Sequence, residues 1–164
     1  MPKNATCFRR RKQEVLEFAT FATGNSWYAL PTRNVVEAVD ARALQTLPNG
    51  EPWCAGFLMF AGEPIAVADL TRVLGEAHLE TPRIVVVIRA QGRAKPFGLL
   101  VELLGDIPEV AADRLLPIDG SRDQLATLAI EPADPTDPLV MILSPERLAA
   151  LLYGTIQSAY PALT

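Results

Sequence analysis

After residue 13, short stretches rich in apolar, aromatic and β-branched residues are separated by polar turn signals, the pattern of strands. Glu14–Thr23 is rich in aromatic and β-branched residues. The turn cluster Thr23-Gly24-Asn25-Ser26 follows it, and then Trp27–Pro31, which together predict a hairpin. Val35–Val39 reads as a third strand. Ala41–Glu51 reads as a loop holding the turn signal Pro48-Asn49-Gly50. Gly56–Phe60 and Ile65–Ala68 flank Ala61-Gly62-Glu63-Pro64 and predict a second hairpin. The unbroken apolar run Ile84–Ile88 suits a strand buried on both faces. Phe97–Leu104 reads as one strand, with Phe97, Leu99, Val101 and Leu103 on one face and Leu100 and Leu104 on the other. Ile107–Val110 and Leu115–Ile118 are short strands separated by a turn of helix at Ala111–Arg114. Gln124–Ile130 and Leu139–Leu143 form a last hairpin, whose proline-rich connection is expected outside the sheet because proline cannot donate to a ladder.

Two segments depart from this pattern. Asp69 followed by Leu70-Thr71-Arg72-Val73-Leu74-Gly75 has the layout of a short helix, with Asp as N-cap and Gly as terminator. Ser144-Pro145 opens a C-terminal helix with an apolar stripe of Leu148, Leu151 and Leu152, which Gly154 is expected to end. About ten short strands with turn signals between them imply an all-β barrel or sandwich fold.

Length and composition narrow the function. The 164 residues suit one domain, with residues 1–13 as a disordered basic leader, 14–153 as the folded body and 154–164 as a tail. No apolar run approaches the roughly 20 residues of a membrane span, which implies a cytoplasmic protein without direct membrane insertion. Five of the 15 basic residues and none of the 19 acidic ones fall in the leader, so it carries +5 and the remainder −9. An acidic body argues against nucleic acid as a partner. The one histidine, His78, sits in the polar linker 76–82 and is expected to be exposed. With Cys7 and Cys54 it offers three scattered ligands where a zinc site needs about four, so no metal or other cofactor is expected. No serine lies in a nucleophile-elbow setting, and no glycine-rich phosphate loop is present. An enzyme is not indicated.

Three segments, in this order, resemble the CheW-like family of bacterial chemosensory adaptors. They are Phe18–Phe21 with Trp27-Tyr28-Ala29-Leu30-Pro31 and Val35–Val39; Gly56–Phe60 with Ala61-Gly62-Glu63-Pro64 and Ile65–Leu70; and Phe97–Glu102 with Gly105-Asp106-Ile107. The family's usual core-motif arginine is replaced by Ala61, its asparagine by Met59, its proline by Ala66, and its aspartate by Glu102. Alanine supplies neither the fixed charge nor the donor fork of arginine.

The resemblance implies two packed, intertwined five-stranded SH3-like barrels closed off by a C-terminal helix. It also implies a non-enzymatic adaptor in chemotaxis-like or pilus-motility signalling, coupling a chemoreceptor's cytoplasmic tip to the regulatory domain of a CheA-type histidine kinase. On it, the partner-binding residues are Val35, Glu37, Gly56, Phe60, Ala61, Gly62, Gly98, Leu104 and Ile107. Unpaired barrel edges also allow weak self-association. The alternative is a stand-alone CheW-fold binding module outside the receptor array, which the alanine at 61 favours. Trp53 is either an exposed anchor or a core residue. The apolar stretch Phe57–Phe60 is expected to lie in the core.

Overall fold

A computed structural model describes residues 14–46, 51–78, 81–92, 95–118 and 125–159, with side chains up to Tyr153. The leader, the 48–50 turn and residues 160–164 lie outside the described residues. Twelve strands form two sheets: β1 (Val15–Thr23), β2 (Ser26–Pro31), β3 (Val35–Asp40), β4 (Cys54–Phe60), β5 (Glu63–Asp69), β6 (Ile84–Ile88), β7 (Phe97–Val101), β8 (Leu103–Leu104), β9 (Glu109–Ala111), β10 (Leu115–Pro117), β11 (Ala126–Ile130) and β12 (Val140–Leu143). A short helix spans Leu70–Val73 and a C-terminal helix spans Pro145–Ala159.

The first sheet has the order β3-β6-β7-β5-β4. It curls until the chain beyond β3 meets β4, where Gln45 and Phe57 exchange two backbone hydrogen bonds of 2.8 Å. The second sheet has the order β10-β11-β12-β2-β1-β8, with β9 also on β1. Its seven segments do the work of five strands, because residues 103–117 are one interrupted run. That run lies along β1, turns through a 3-10 turn at Ala112–Arg114, and crosses to β11. The expected pair of five-stranded barrels is therefore present. One barrel is β3–β7. The other takes β1 and β2 from the start of the chain and β8–β12 from its end, so the two are intertwined.

Three apolar clusters fill this arrangement. Leu58, Ile65, Val67, Val85, Val87 and Leu100 fill the first barrel. Phe18, Ala29, Val110, Ile130 and Ile142 fill the second. The largest cluster lies between them. It takes Val86, Ile88, Phe97, Leu99 and Val101 from the first barrel, Phe21, Tyr28, Leu30 and Leu143 from the second, and Leu148, Ala149 and Leu152 from the C-terminal helix. The apolar run of β6 thus serves two cores, Val85 and Val87 facing one and Val86 and Ile88 the other.

Three expectations are corrected. Phe97–Leu104 is not one strand, because the chain bends at Glu102 as it leaves the first barrel for the second. Leu103 and Leu104 consequently face outward, instead of Leu103 joining Leu99 and Val101 and Leu104 joining Leu100. Leu151 is exposed, and Ala149 takes its place in the helix stripe. The C-terminal helix also runs through Gly154 to Ala159. A glycine inside a helix costs about 1 kcal/mol, which does not by itself end it. The caps hold as read. Asp69 accepts from the N–H groups of Thr71 (3.1 Å) and Arg72 (3.4 Å), Gly75 turns left-handed at φ +73°, and Ser144 Oγ accepts from Arg147 N–H (3.2 Å).

Gly56 marks the closure of the first barrel. It sits in a bulge at φ +145°, and a Cβ there would overlap the backbone carbonyl of Gln45. Gly62, at φ +82°, has open space around it. Gly56→Ala is expected to cost on the order of 3 kcal/mol, combining overlap and strain. Gly62→Ala is expected to cost about 1 kcal/mol, from strain alone. Urea unfolding of both variants checks the difference; equal losses would place the barrel closure elsewhere.

Candidate functional site

Among the described residues strand β3 pairs only with β6 and leaves its other edge open. A bulge between Val35 and Glu37 brings Val36 and Glu37 both to the surface, while Val35 packs half-buried on the inter-barrel core. Glu37 is therefore an outward carboxylate on a free strand edge, next to an exposed valine.

The β4–β5 hairpin turns tightly on Ala61 and Gly62, between the paired residues Phe60 and Glu63. Both turn residues have positive φ, +50° and +82°, as a type I′ turn requires. Ala61 holds the left-handed region without the glycine that usually permits it, and it is exposed. Along β4, Leu58 is core and Phe60 packs half-buried on the first barrel's cluster, but Met59 is 61% exposed. The stretch Phe57–Phe60 thus alternates instead of lying wholly inside, with Phe57 and Met59 paired to Ala66 and Pro64.

The remaining residues fall elsewhere. Leu104 and Ile107, 50% and 60% exposed, belong to the interrupted run of the second barrel and are surface residues, not core. Gly56 and Gly98 are buried and offer no surface to a partner. A Cβ at Gly98 would lie 2.6 Å from Val85 Cγ1 and 3.0 Å from Val67 Cγ2, so its job is close packing of β7 in the barrel. The nine residues therefore form three groups: the β3 edge, the β4–β5 tip, and the run that starts in β8, with the two glycines set inside. Trp53 is half-buried against the inter-barrel core, and its buried indole N–H has no hydrogen-bond partner among the described residues.

Sequence reasoning missed the polar seam. His78 is not free in its linker: Nε2 lies 2.8 Å from Asp69 Oδ2, Nδ1 lies 3.2 Å from Thr71 Oγ1, and Glu102 Oε2 is 3.9 Å away. Thr71 Oγ1 hydrogen-bonds onward to the hydroxyl of Thr23 in β1, and Glu102 accepts the Gly24 N–H of the β1–β2 turn. The Asp–His–Thr order has the outline of a hydrolase relay. Yet Thr71 and Thr23 are fully buried and their hydroxyls are committed to each other, so no substrate reaches them. The network ties the end of the first barrel to the β1–β2 turn of the second. The one sequence signal for it was the Asp69 cap, which a single carboxylate can satisfy while its other oxygen takes a distant histidine.

Other candidate chemistry is quiet. Burial pushes the Cys54 thiol above its ordinary value, which suppresses the reactive thiolate. Among the described residues no group of three His, Cys, Asp or Glu is placed to hold a metal ion, and no helix is long and apolar enough to cross a membrane.

Residues 17–152 match the profile of the CheW-like domain. The chain belongs to the CheW-like family. Among solved structures it is similar to the scaffolding protein TtCheW from Thermoanaerobacter tengcongensis, with a TM-score of 0.68 at 16% identity, covering 80% of this chain and 90% of that one. Comparison with curated sequences yields no match. The family is one of non-enzymatic chemotaxis scaffolds, and this CheW-like chain is an adaptor, not an enzyme. The two intertwined barrels fit that family.

Tyr28 reports on the seam. Its ring stacks on Phe21 with centroids 6.4 Å apart, and its hydroxyl donates to Glu76 Oε1 (3.4 Å) beyond the short helix. Burial raises its pKa to about 12 from 10.0. The Ser26 hydrogen bond opposes the rise and the Glu76 charge adds to it. The folded state thus keeps a proton that the unfolded state releases. The stability this contributes is complete below pH 10 and is lost as pH rises toward 12. The phenolate absorbance difference between the wild-type chain and Tyr28→Phe is expected to develop near pH 12, with part of the alkaline loss of stability absent in the variant. A difference developing near pH 10 would contradict the packing of this residue.

Proposed function

We propose that this CheW-like chain is a cytoplasmic adaptor coupling a chemoreceptor's cytoplasmic tip to the regulatory domain of a CheA-type histidine kinase. The observation that carries the reading is the open edge of β3, where Glu37 and Val36 stand exposed on a strand with one neighbour. Such an edge binds by main-chain pairing, with side chains setting specificity. Val35, Glu37 and the tip Phe60-Ala61-Gly62 supply contacts on the first barrel. Leu104 and Ile107 supply a second, apolar contact on the other barrel. Two separate surfaces suit a protein that bridges two partners. Through the same edges the chain self-associates weakly.

A second reading has one observation in its favour. Ala61 stands at the tip of the β4–β5 turn, where the family resemblance places arginine, and it brings no charge to a partner. On that reading the chain is a stand-alone CheW-fold module outside the receptor array.

A pull-down from the native cell, with Glu37→Ala as matched bait, separates these. The adaptor reading predicts recovery of a histidine kinase and a chemoreceptor by the wild-type chain. Glu37→Ala should weaken capture of one of them by about tenfold, as for a hot-spot residue. Equal recovery by both baits would remove β3 from the interface. Recovery of neither partner by the wild-type chain would leave the stand-alone module.

A further inference from the structure

The turn that leads from β2 into β3 is tied to the end of β6 by one buried residue. Asn34, 6% exposed, donates its side-chain amide to the carbonyl of Arg89 (3.0 Å), and its own carbonyl accepts the Arg89 N–H (2.9 Å). This reciprocal pair fixes two backbone segments far apart in sequence. Arg33 and Arg89 therefore flank one open cleft of about 630 Å3, whose other lining residues are Asn34, Ala90, Gln91 and Gly92.

Both arginines are exposed, and neither has an ion-pair partner among the described residues. Glu37, the acid of the adjoining strand, pairs with neither. Two like charges line the same space and stay without a carboxylate partner, although the body carries −9 outside its leader and is rich in carboxylates. A guanidinium presents a planar fork of donors that matches a carboxylate in bidentate fashion, and two forks over one cleft make a focused attractor for an anion.

The position of the cleft selects the kind of anion. It opens beyond the start of β3, where Val35 pairs with Ile88, so that Arg33 precedes β3 itself and Arg89 follows the neighbouring β6. An extended chain laid along the open edge of β3 and running on past its start would cross the mouth of the cleft. We propose that Arg33 and Arg89 form a clamp for a carboxylate on an extended acidic segment of the protein that docks along β3. The proposal rests on the reading of β3 as a docking edge and adds the chemistry of what docks there.

The test is a titration of the full chain, carrying 15N-labelled arginine, followed by the Nε–Hε signals of Arg33 and Arg89. The probes are a hexaglutamate peptide, the matching glutamine peptide, inorganic phosphate, and phosphatidylglycerol–phosphatidylcholine vesicles. Hexaglutamate is expected to move both signals saturably. Its affinity should fall with added salt and weaken by about tenfold in Arg33→Gln and in Arg89→Gln. The glutamine peptide should leave the signals in place. Unmoved signals overturn the clamp. So does a response to phosphate as strong as that to hexaglutamate, or a response to vesicles alone. Both side chains are exposed, so the variants should keep the wild-type melting temperature. The two readings are separable in the native-cell pull-down. If the Arg33→Gln/Arg89→Gln chain recovers kinase and receptor as the wild type does while Glu37→Ala does not, the clamp falls and the adaptor reading stands.

Discussion

The seam between the barrels is the largest apolar cluster in the molecule, and each barrel supplies one wall of it. Strands β6 and β7 are buried almost throughout because each faces the inside of its own barrel on one side and the other barrel on the opposite side. Burying a side chain such as Ile88, Phe97 or Leu99 contributes about 1.5–3 kcal/mol, and the seam would lose that for every such residue if either barrel were absent. The interior clusters of the separate barrels are small, and small barrels are marginal alone. The C-terminal helix adds Leu148, Ala149 and Leu152 to the same seam, which explains why an all-β body ends in a helix.

The chain's path reinforces this dependence. The second barrel is complete only when β1 and β2 meet strands made about a hundred residues later, after the first barrel has been formed between them. Where the chain crosses the seam, polar groups become buried and must find partners. Asp69, His78, Thr71 and Thr23 satisfy one another across it, and Glu102, at the bend where β7 becomes β8, holds the Gly24 amide. Burying a carboxylate unpaired costs several kcal/mol, so this set fixes how the two barrels sit as well as whether they touch. The surface elements, β3, the β4–β5 tip and the run that starts in β8, inherit their spacing from it.

Features governed by neighbours in sequence were legible. The hairpin turn at Ala61-Gly62, which is tighter than the four residues expected, the caps Asp69 and Ser144, and the β1–β2 hairpin follow from local rules, and the structure keeps them. The run Ile84–Ile88 also spoke plainly, since burial on two faces leaves no polar position. What failed depended on distant partners. The break at Glu102 exists because a turn some eighty residues earlier offers it an N–H. His78 looked like a loop residue because neither Asp69 nor Thr71 is periodic with it. Gly56 and Gly98 looked like openings for a partner, but the atoms that crowd them belong to Gln45, Val85 and Val67. A glycine in a strand carries the same signature whether a partner chain or a neighbouring strand comes close.

The central claim is that the two barrels form one cooperative unit joined by the seam. The chain's two tryptophans report on different parts of it: Trp27 lies in β2 of the second barrel, and Trp53 packs near β4 of the first. Urea unfolding of Trp27→Phe and Trp53→Phe, each followed by its one remaining indole and by far-ultraviolet circular dichroism, tests the claim directly. The account predicts that the fluorescence and dichroism transitions coincide within each variant, with one midpoint and one slope. A fluorescence transition displaced from the dichroism of the same protein, with one barrel melting while the other stays folded, would contradict it.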